Sequence, residues 1–159
     1  MNHKEVPPSV SVYTFRAEVN SIFSENFYLK PGKSKKGGLY MYLHPEAKRY
    51  KEKLIKQFTE QMKENGFPYG KAFPFKVVYN FYVLTERDVT NMIKVTEDAF
   101  SEAIGVDDSV WDTVLANRIL IGRNANGAPE SKELVIIEAY CYNHQREMKM
   151  NRYISGEGT

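Results

Sequence analysis

Two hydrophobic periodicities alternate along this chain of 159 residues. Residues Ser9 to Arg16 alternate between polar and apolar side chains over most of their length and are rich in Val and aromatics, which predicts a first β-strand. After Pro45, apolar side chains recur at three- and four-residue spacing, which predicts an amphipathic helix of about five turns. Pro45 suits the first helical position because its missing N–H would be unpaired there, and Asn65-Gly66 supplies the stop.

The middle of the chain predicts the best-buried elements. Phe73 to Thr85 is largely apolar at both odd and even positions, which predicts a long central strand covered on both faces. From Asn91 to Ile104, apolar residues form two stripes at helical spacing, and Gly105 ends the helix. A helix that is apolar on more than one side is buried, either under the sheet or against a partner chain.

Two more strands are predicted, from Thr113 to Ile121 and from Glu133 to Tyr142. Residues 124–129 between them are rich in Asn, Gly and Pro, which predicts a hairpin. The expected fold is therefore α+β: one domain over residues 1–159, with a mixed sheet flanked by two main helices and flexible ends at 1–8 and 145–159.

Composition excludes several classes of protein. The chain is 42% hydrophobic and 26% charged, and no apolar run approaches the ~20 residues that span a bilayer. The N-terminus lacks the apolar core of a secretory signal, and the single Cys141 cannot form an internal disulfide, so a cytoplasmic location is expected. Cys141 lies in an apolar strand and is expected in the core. The three histidines have no ligand spacing, and structural roles are expected for them.

Basic residues are clustered although the net charge is only +2. Four lysines lie between Lys30 and Gly38, among residues that break regular structure, so an exposed, mobile loop is predicted. Such a loop is either a phosphate-contacting arm or a solvated segment with no ligand. The polar face of the first helix, from Lys48 to Lys56, is open to the same two interpretations.

Carboxylates lie at both ends of the second predicted helix. Asp88 precedes the helix, Asp107 and Asp108 follow it, and Lys94 lies about a turn and a half beyond Asp88. Carboxylate oxygens are the ligands of Mg²⁺, and a lysine beside them can stabilise charge developing on a phosphate. Each residue also has a local explanation. Asp88 or Thr90 can cap the helix, Lys94 can pair with the residue four positions on, and Asp107–Ser109 can be a polar turn.

The order of these residues resembles a known family. Arg-Asp-x-x-Asn-x-x-Lys-x-x-x-Asp-Ala-Phe, followed by Gly-Val-x-Asp-Asp-Ser, is similar to the signature of the RusA family of Holliday junction resolvases. The resemblance implies a homodimeric endodeoxyribonuclease of bacteria or phage-infected cells that nicks branched DNA symmetrically and uses Mg²⁺, for which Mn²⁺ can substitute. It makes Asp88, Lys94 and Asp108 catalytic and Asp88, Asp107 and Asp108 the metal ligands. The expected DNA contacts are Lys30, Lys33, Lys35, Lys36, Arg87 and Asn91.

Thr90 departs from the family pattern, which has a second aspartate there. Either the metal is held by fewer charges, or Glu86, Glu97 or Asp107 substitutes. The runner-up function is therefore a catalytically silent branched-DNA binding protein, and a third is a protein-interaction module.

Geometry gives a separate argument for a dimer. A helix of about 14 residues is ~21 Å long, so Asp88 and Asp108 of one chain lie apart unless the following loop doubles back. Antiparallel packing of two copies about a two-fold axis would bring these carboxylates together.

Overall fold

The structure is a computed structural model that describes residues 9–24, 29–122 and 130–143, with only the backbone described at residues 29 and 30. They form one α+β domain, as predicted. Its elements in chain order are β1 (Val10–Val19), β2 (Leu29–Lys33), β3 (Leu39–Leu43), α1 (Pro45–Asn65), β4 (Pro74–Val83), α2 (Val89–Ile104), β5 (Thr113–Leu120) and β6 (Glu133–Tyr142).

The main sheet is mixed and has the strand order β1-β6-β4-β5. β4 runs parallel to β5, and the other neighbouring strands are antiparallel. The helices pack against each other, α1 also against β1, and α2 also against β4 and β5. Phe100 of α2 lies at the centre of the core, where its ring contacts Phe15 and Phe58 edge to face. The prediction that β4 is a central strand is confirmed, because β6 and β5 pair with its two edges.

The predicted hairpin between the last two strands is wrong. β5 and β6 are not neighbours, because β4 lies between them. β4 reaches β5 through α2, and this β-α-β connection makes the two strands parallel. β6 then takes the other edge of β4 and runs antiparallel to it. The turn-rich residues 124–129 lie outside the described residues.

The lysine-rich loop is also corrected, because much of it is strand. Residues 29–33 and 39–43 pair as a separate antiparallel hairpin, and only residues 34–38 form the turn. The Ser34 N–H donates to the Gly38 carbonyl at 2.8 Å, and the Gly37 N–H donates to the Ser34 carbonyl at 2.9 Å. Glycine is required at position 32 of the strand because the Tyr40 ring lies over its backbone, and an added Cβ would come within 2.6 Å of that ring.

Helix α1 covers the outer edge of β1 with amide side chains. The Gln57 side chain accepts from the Glu18 N–H at 2.9 Å and donates to the Glu18 carbonyl at 3.0 Å. Gln61 makes the same pair of bonds to Arg16. These amides take the place of a neighbouring strand, so this edge of the sheet is closed. Neither helix is long and apolar enough to cross a membrane within the described parts of the chain.

Candidate functional site

Asp88 caps the N-terminus of α2. Its Oδ1 accepts hydrogen bonds from the Thr90 backbone N–H at 3.1 Å and the Thr90 hydroxyl at 2.8 Å. These bonds, with a smaller effect from the charge of Arg118, lower the pKa of the Asp88 carboxyl. Thr90, which replaces the aspartate of the RusA pattern, is thus a hydrogen-bond partner of Asp88. The structure gives Asp88 the capping role that the sequence also allowed, and Thr90 is the residue that donates to it.

Arg87 points into the protein. Its guanidinium forms an ion pair with Glu133 and donates to the Ile22 carbonyl at 2.7 Å. Glu133 is only 1% exposed and also accepts the backbone N–H groups of Ile22 and Leu84, both at 2.7 Å. This network anchors the segment that carries Asp88. Arg87 was predicted to contact DNA, and the structure instead places it in this internal network.

Asp107 and Asp108 follow α2 at its other end. Asp107 is exposed and caps a short 3₁₀ helix, Asp108–Val110, by accepting the Ser109 N–H at 2.9 Å. That bond is the main reason why the pKa of Asp107 is lowered. Asp108 is half-buried, and its carboxyl is near enough to those of Asp107 and Glu97 to lower the pKa of Asp107 and raise the pKa of Glu97. These three carboxyls therefore form a row.

Glu97 is the member of the acidic row that the sequence did not single out as a primary ligand. The Tyr79 hydroxyl and the Trp111 indole N–H each donate to its Oε2, at 3.4 Å. Burial raises the pKa of the half-buried Glu97 carboxyl, and the contact with Asp108 raises it further. Buried Tyr and Trp polar groups require partners, which was the only sequence signal for an acceptor here. The sequence considered Glu97 only as a substitute ligand.

Lys94 lies with this acidic group. Its ammonium is 3.0 Å from Asp98, and its charge acts to lower the pKa values of Glu97 and Asp107. The sequence placed Lys94 in the neighbourhood of Asp88, whereas in the structure its ammonium faces Asp98 and the carboxyls of the acidic row.

The remaining predicted contacts are dispersed. Asn91 is half-buried in the first turn of α2. Lys33, Lys35 and Lys36 are exposed on the hairpin, and the side chain of Lys30 is not among those described.

The predicted ligands do not converge within one chain. Along α2, Asp88 lies ~14 Å from Glu97 and ~24 Å from the C-terminal end that precedes Asp107 and Asp108. The groove beside Asp88, of about 550 Å³, is lined by Glu86, Arg87, Asp88, Val89 and Arg118, without Asp107 or Asp108. Within the described residues, no three or more His, Cys, Asp or Glu side chains are arranged around a common point that could hold a metal. The structure therefore brings together Glu97, Asp107, Asp108 and Lys94, and it leaves Asp88 apart.

No protein-family model matches the chain, and no curated protein matches its sequence. Among solved structures, it is similar to IspF of Plasmodium falciparum in a CDP complex, at 8% identity and a TM-score of 0.39, over 85% of this chain and 97% of that one. It is also similar to 2C-methyl-D-erythritol 2,4-cyclodiphosphate synthase of Plasmodium vivax, at 6% identity and a TM-score of 0.36, over 84% of this chain and 97% of that one. A third similar structure is the bifunctional IspDF of Campylobacter jejuni, at 9% identity and a TM-score of 0.34, over 85% of this chain and 43% of that one. Similarities this weak assign no function to this chain.

The identification as a RusA-family resolvase is nevertheless wrong. No family model matches the chain, and the structure does not bring the metal ligands that the resemblance implied, Asp88, Asp107 and Asp108, together within one chain. The predicted endodeoxyribonuclease activity is therefore wrong as well. The same correction applies to the predicted partners, which were branched DNA and a second copy of the chain in a homodimer. The motif misled because its residue types have local roles in this fold: Asp88 caps α2 by accepting from Thr90, and Lys94 pairs with Asp98 along the helix.

Proposed function

We propose that this protein binds a divalent cation, Mg²⁺ or Mn²⁺, between Glu97 and Asp108 and uses it to hold the phosphate groups of a small ligand. The proposal is supported best by the proximity of these two carboxyls, through which Asp108 raises the pKa of Glu97 beyond the effect of burial, together with the two donors, Tyr79 and Trp111, that hold Glu97 in place. Two carboxylates within hydrogen-bond reach repel each other unless a proton or a cation lies between them. Mg²⁺ is usually held by one or two protein carboxylates, with waters and phosphate oxygens completing its shell.

The surroundings of the pair suit this role. Tyr79 and Trp111 both donate to Glu97, which fixes the orientation of its carboxyl as outer-shell partners do at metal sites. Asp107 follows Asp108 in the row and can be reached through a metal-bound water. A site of two carboxylates also agrees with the absence of any three-ligand cluster in the described residues. The sequence-based assignment of Asp88 as a ligand stays a prediction, and this site does not include it.

Lys94 supports the phosphate part of the proposal. Its side chain is 54% exposed, and its charge reaches Glu97 and Asp107. A cation and an ammonium on one side of a cleft attract the oxygens of a phosphate group together. The expected role of Lys94 is therefore to bind a phosphate oxygen that is also a ligand of the cation.

Titration calorimetry with Mn²⁺ and Mg²⁺ tests the cation site. Losing an outer-shell partner of a metal ligand typically weakens metal binding about 10–100-fold. Glu97→Gln and Asp108→Asn each remove a direct ligand, so each should weaken cation binding by more than that. Asp112→Asn is the matched control, because Asp112 is an exposed carboxylate four residues from Asp108. At 100 times the dissociation constant, the cation should stabilise the wild type by about 2.7 kcal/mol. Equal losses in Asp112→Asn and Asp108→Asn, or no binding by the wild type, would refute the site.

A second titration tests the phosphate contact. With Mn²⁺ bound, the wild type should bind pyrophosphate, and Lys94→Met should weaken that binding while leaving the affinity for Mn²⁺ alone largely unchanged. Equal pyrophosphate affinity in wild type and Lys94→Met would remove Lys94 from the site.

A further inference from the structure

The β2–β3 hairpin exposes four successive large side chains. Leu39 is 79% exposed and Met41 is 60% exposed, and Tyr40 and Tyr42 alternate with them at 50% and 39%. Among the described elements, β2 and β3 pack chiefly against each other rather than against the helices or the main sheet. A two-stranded hairpin without a covered face is only marginally stable in water. This hairpin would therefore gain stability from a surface that covers one of its faces.

The two faces of the hairpin differ in what they already contact. Neighbouring residues of a strand point to opposite sides, so Tyr40 and Tyr42 share one face with Gly32. That face has internal roles, because the Tyr40 ring covers Gly32 and Tyr42 lines a groove of about 480 Å³ against α1. The opposite face, called the outer face below, is exposed at each of its described side chains, which are Pro31, Lys33, Leu39 and Met41.

The charge of the hairpin has a single sign. Residues 29–43 contain four lysines and no Asp or Glu. Lys33, Lys35 and Lys36 are exposed, and none of them forms an ion pair with another described residue. Hydrogen bonds between Ser34 and Gly38 close the turn, so the two lysines within it are held next to Leu39. The outer face therefore combines uncompensated positive charge with exposed apolar side chains.

We infer that the outer face docks on a membrane surface that contains anionic lipids. Anionic headgroups attract lysines near the surface, and the boundary below the headgroups takes up exposed apolar side chains. The phosphates of a nucleic acid would pair with the lysines but leave Leu39 and Met41 in water, because contacts to its backbone use polar groups. A protein partner would cover the apolar side chains, but the centres of protein interfaces are depleted of lysine. A lipid surface accommodates both features of the outer face.

Co-sedimentation with lipid vesicles tests this docking. The protein is mixed with vesicles of phosphatidylcholine alone, or of phosphatidylcholine with phosphatidylglycerol, at low and at high salt. Leu39→Ser combined with Met41→Ser is the apolar variant, and Lys35→Gln combined with Lys36→Gln is the charge variant.

Each variant has a matched control outside the hairpin. Leu115→Ser changes an exposed leucine of β5, which is 47% exposed. Lys53→Gln combined with Lys56→Gln changes two exposed lysines of α1. Circular dichroism of every variant confirms that the domain is folded before its binding is compared.

We expect the wild type to sediment with the vesicles that contain phosphatidylglycerol and not with phosphatidylcholine alone. High salt should weaken the binding because it screens the lysines. The charge variant should bind about 25-fold more weakly, or about fivefold for each lysine beside an anionic surface. The apolar variant should bind at least about tenfold more weakly, because it loses two apolar side chains at the lipid boundary. Both controls should bind as the wild type does.

A fluorescent side chain at position 39 separates insertion from attraction by charge alone. The chain has one tryptophan, Trp111, which is buried, so Leu39→Trp adds a second tryptophan that reports on the outer face. Its emission should shift to shorter wavelength when anionic vesicles are added, and brominated lipid should quench it. The emission of the wild type should change little.

Three results would overturn the inference. The wild type does not bind anionic vesicles, or the controls lose as much binding as the hairpin variants. Alternatively, the apolar variant binds as the wild type does and the emission of Leu39→Trp does not shift, which means attraction by charge without docking. A labelled DNA duplex is titrated in parallel, and if the wild type binds the duplex but not the vesicles, the lysines contact nucleic acid instead. The cation site proposed above uses none of these residues, so each result leaves it unaffected.

Discussion

Glu133→Gln should lower the free energy of unfolding, because it disrupts the buried network of hydrogen bonds and an ion pair around this residue. Glu133 is 1% exposed at the start of β6, and its two oxygens accept three donors: the Ile22 N–H, the Leu84 N–H and the Arg87 guanidinium. Glutamine has nearly the same shape, but it carries no charge and replaces one acceptor oxygen with a donor. Either a backbone N–H or the guanidinium of Arg87 would then face another donor.

The magnitude follows from the burial of the pair. Removing one partner of a buried ion pair costs ~3–5 kcal/mol, because the other charge is left without compensation in a poorly solvated position. The Arg87 guanidinium would then be poorly compensated, because its buried Nε already has no hydrogen-bond partner among the described residues. For a domain of this size, each kcal/mol lowers the melting temperature by about 2–4 °C, so Glu133→Gln should melt ~6–20 °C below the wild type.

Thermal and urea unfolding followed by circular dichroism measure this effect. The matched control is Glu102→Gln, because Glu102 pairs with Lys51 at 2.9 Å and its side chain is 59% exposed. Surface pairs of this kind contribute ~0–1 kcal/mol, so the control should unfold within a few degrees of the wild type. If the two variants lose the same stability, the internal network does not anchor the segment before α2 as described above.

Three further perturbations test other parts of the structure. Gln57→Ala combined with Gln61→Ala removes the amides that close the β1 edge, so light scattering should reveal concentration-dependent association, which Glu60→Ala on the exposed side should not cause. Gly105→Ala should lower the free energy of unfolding by about 1–2 kcal/mol or more in urea titrations, because a left-handed alanine is strained and its Cβ meets the Tyr69 ring. The stability contributed by protonated Glu97 is complete below its ordinary pKa of 4.5 and is lost as pH rises through the raised pKa. In cation-free buffer, Glu97→Gln should therefore lose less stability over this pH range than the wild type does; equal pH profiles would contradict the pKa shift.

The helices could be predicted because local signals agreed with periodicity. Pro45 and Gly66 mark the limits of α1 in both the sequence and the structure, and Gly105 ends α2 as its position predicted. The strand order could not be predicted in the same way. Turn residues before β6 fit a hairpin equally well, and only the two-sided apolar character of β4 indicated that it would take a neighbour on each edge.

The site illustrates the limit of local patterns. Glu97 gains its importance from Tyr79 and Trp111, which lie 18 residues before it and 14 residues after it. They reach its carboxyl only after β4, α2 and the segment before β5 have packed together. Asp88 and Lys94, by contrast, stood out in the sequence because they are close in order along one helix. Their contacts in the structure are equally local: a cap for Asp88 and an i,i+4 pair for Lys94.

The two ends of α2 differ in how well their charges suit the helix, and this difference is the strongest physical reason to look for a cation at one of them. Asp88 lies at the N-terminus, where a negative charge is stabilised by the helix dipole and by hydrogen bonds to Thr90. Asp107 and Asp108 lie beyond the C-terminus, where the helix dipole disfavours negative charge and the last turn of α2 contains no basic residue, so that only Asp107 is stabilised locally, by the Ser109 N–H. Glu97 adds a third carboxyl, whose pKa is raised by its burial and by the neighbouring Asp108. Stability alone would not favour this arrangement, whereas a divalent cation at the carboxyl pair would relieve the repulsion and the unfavourable helix end together.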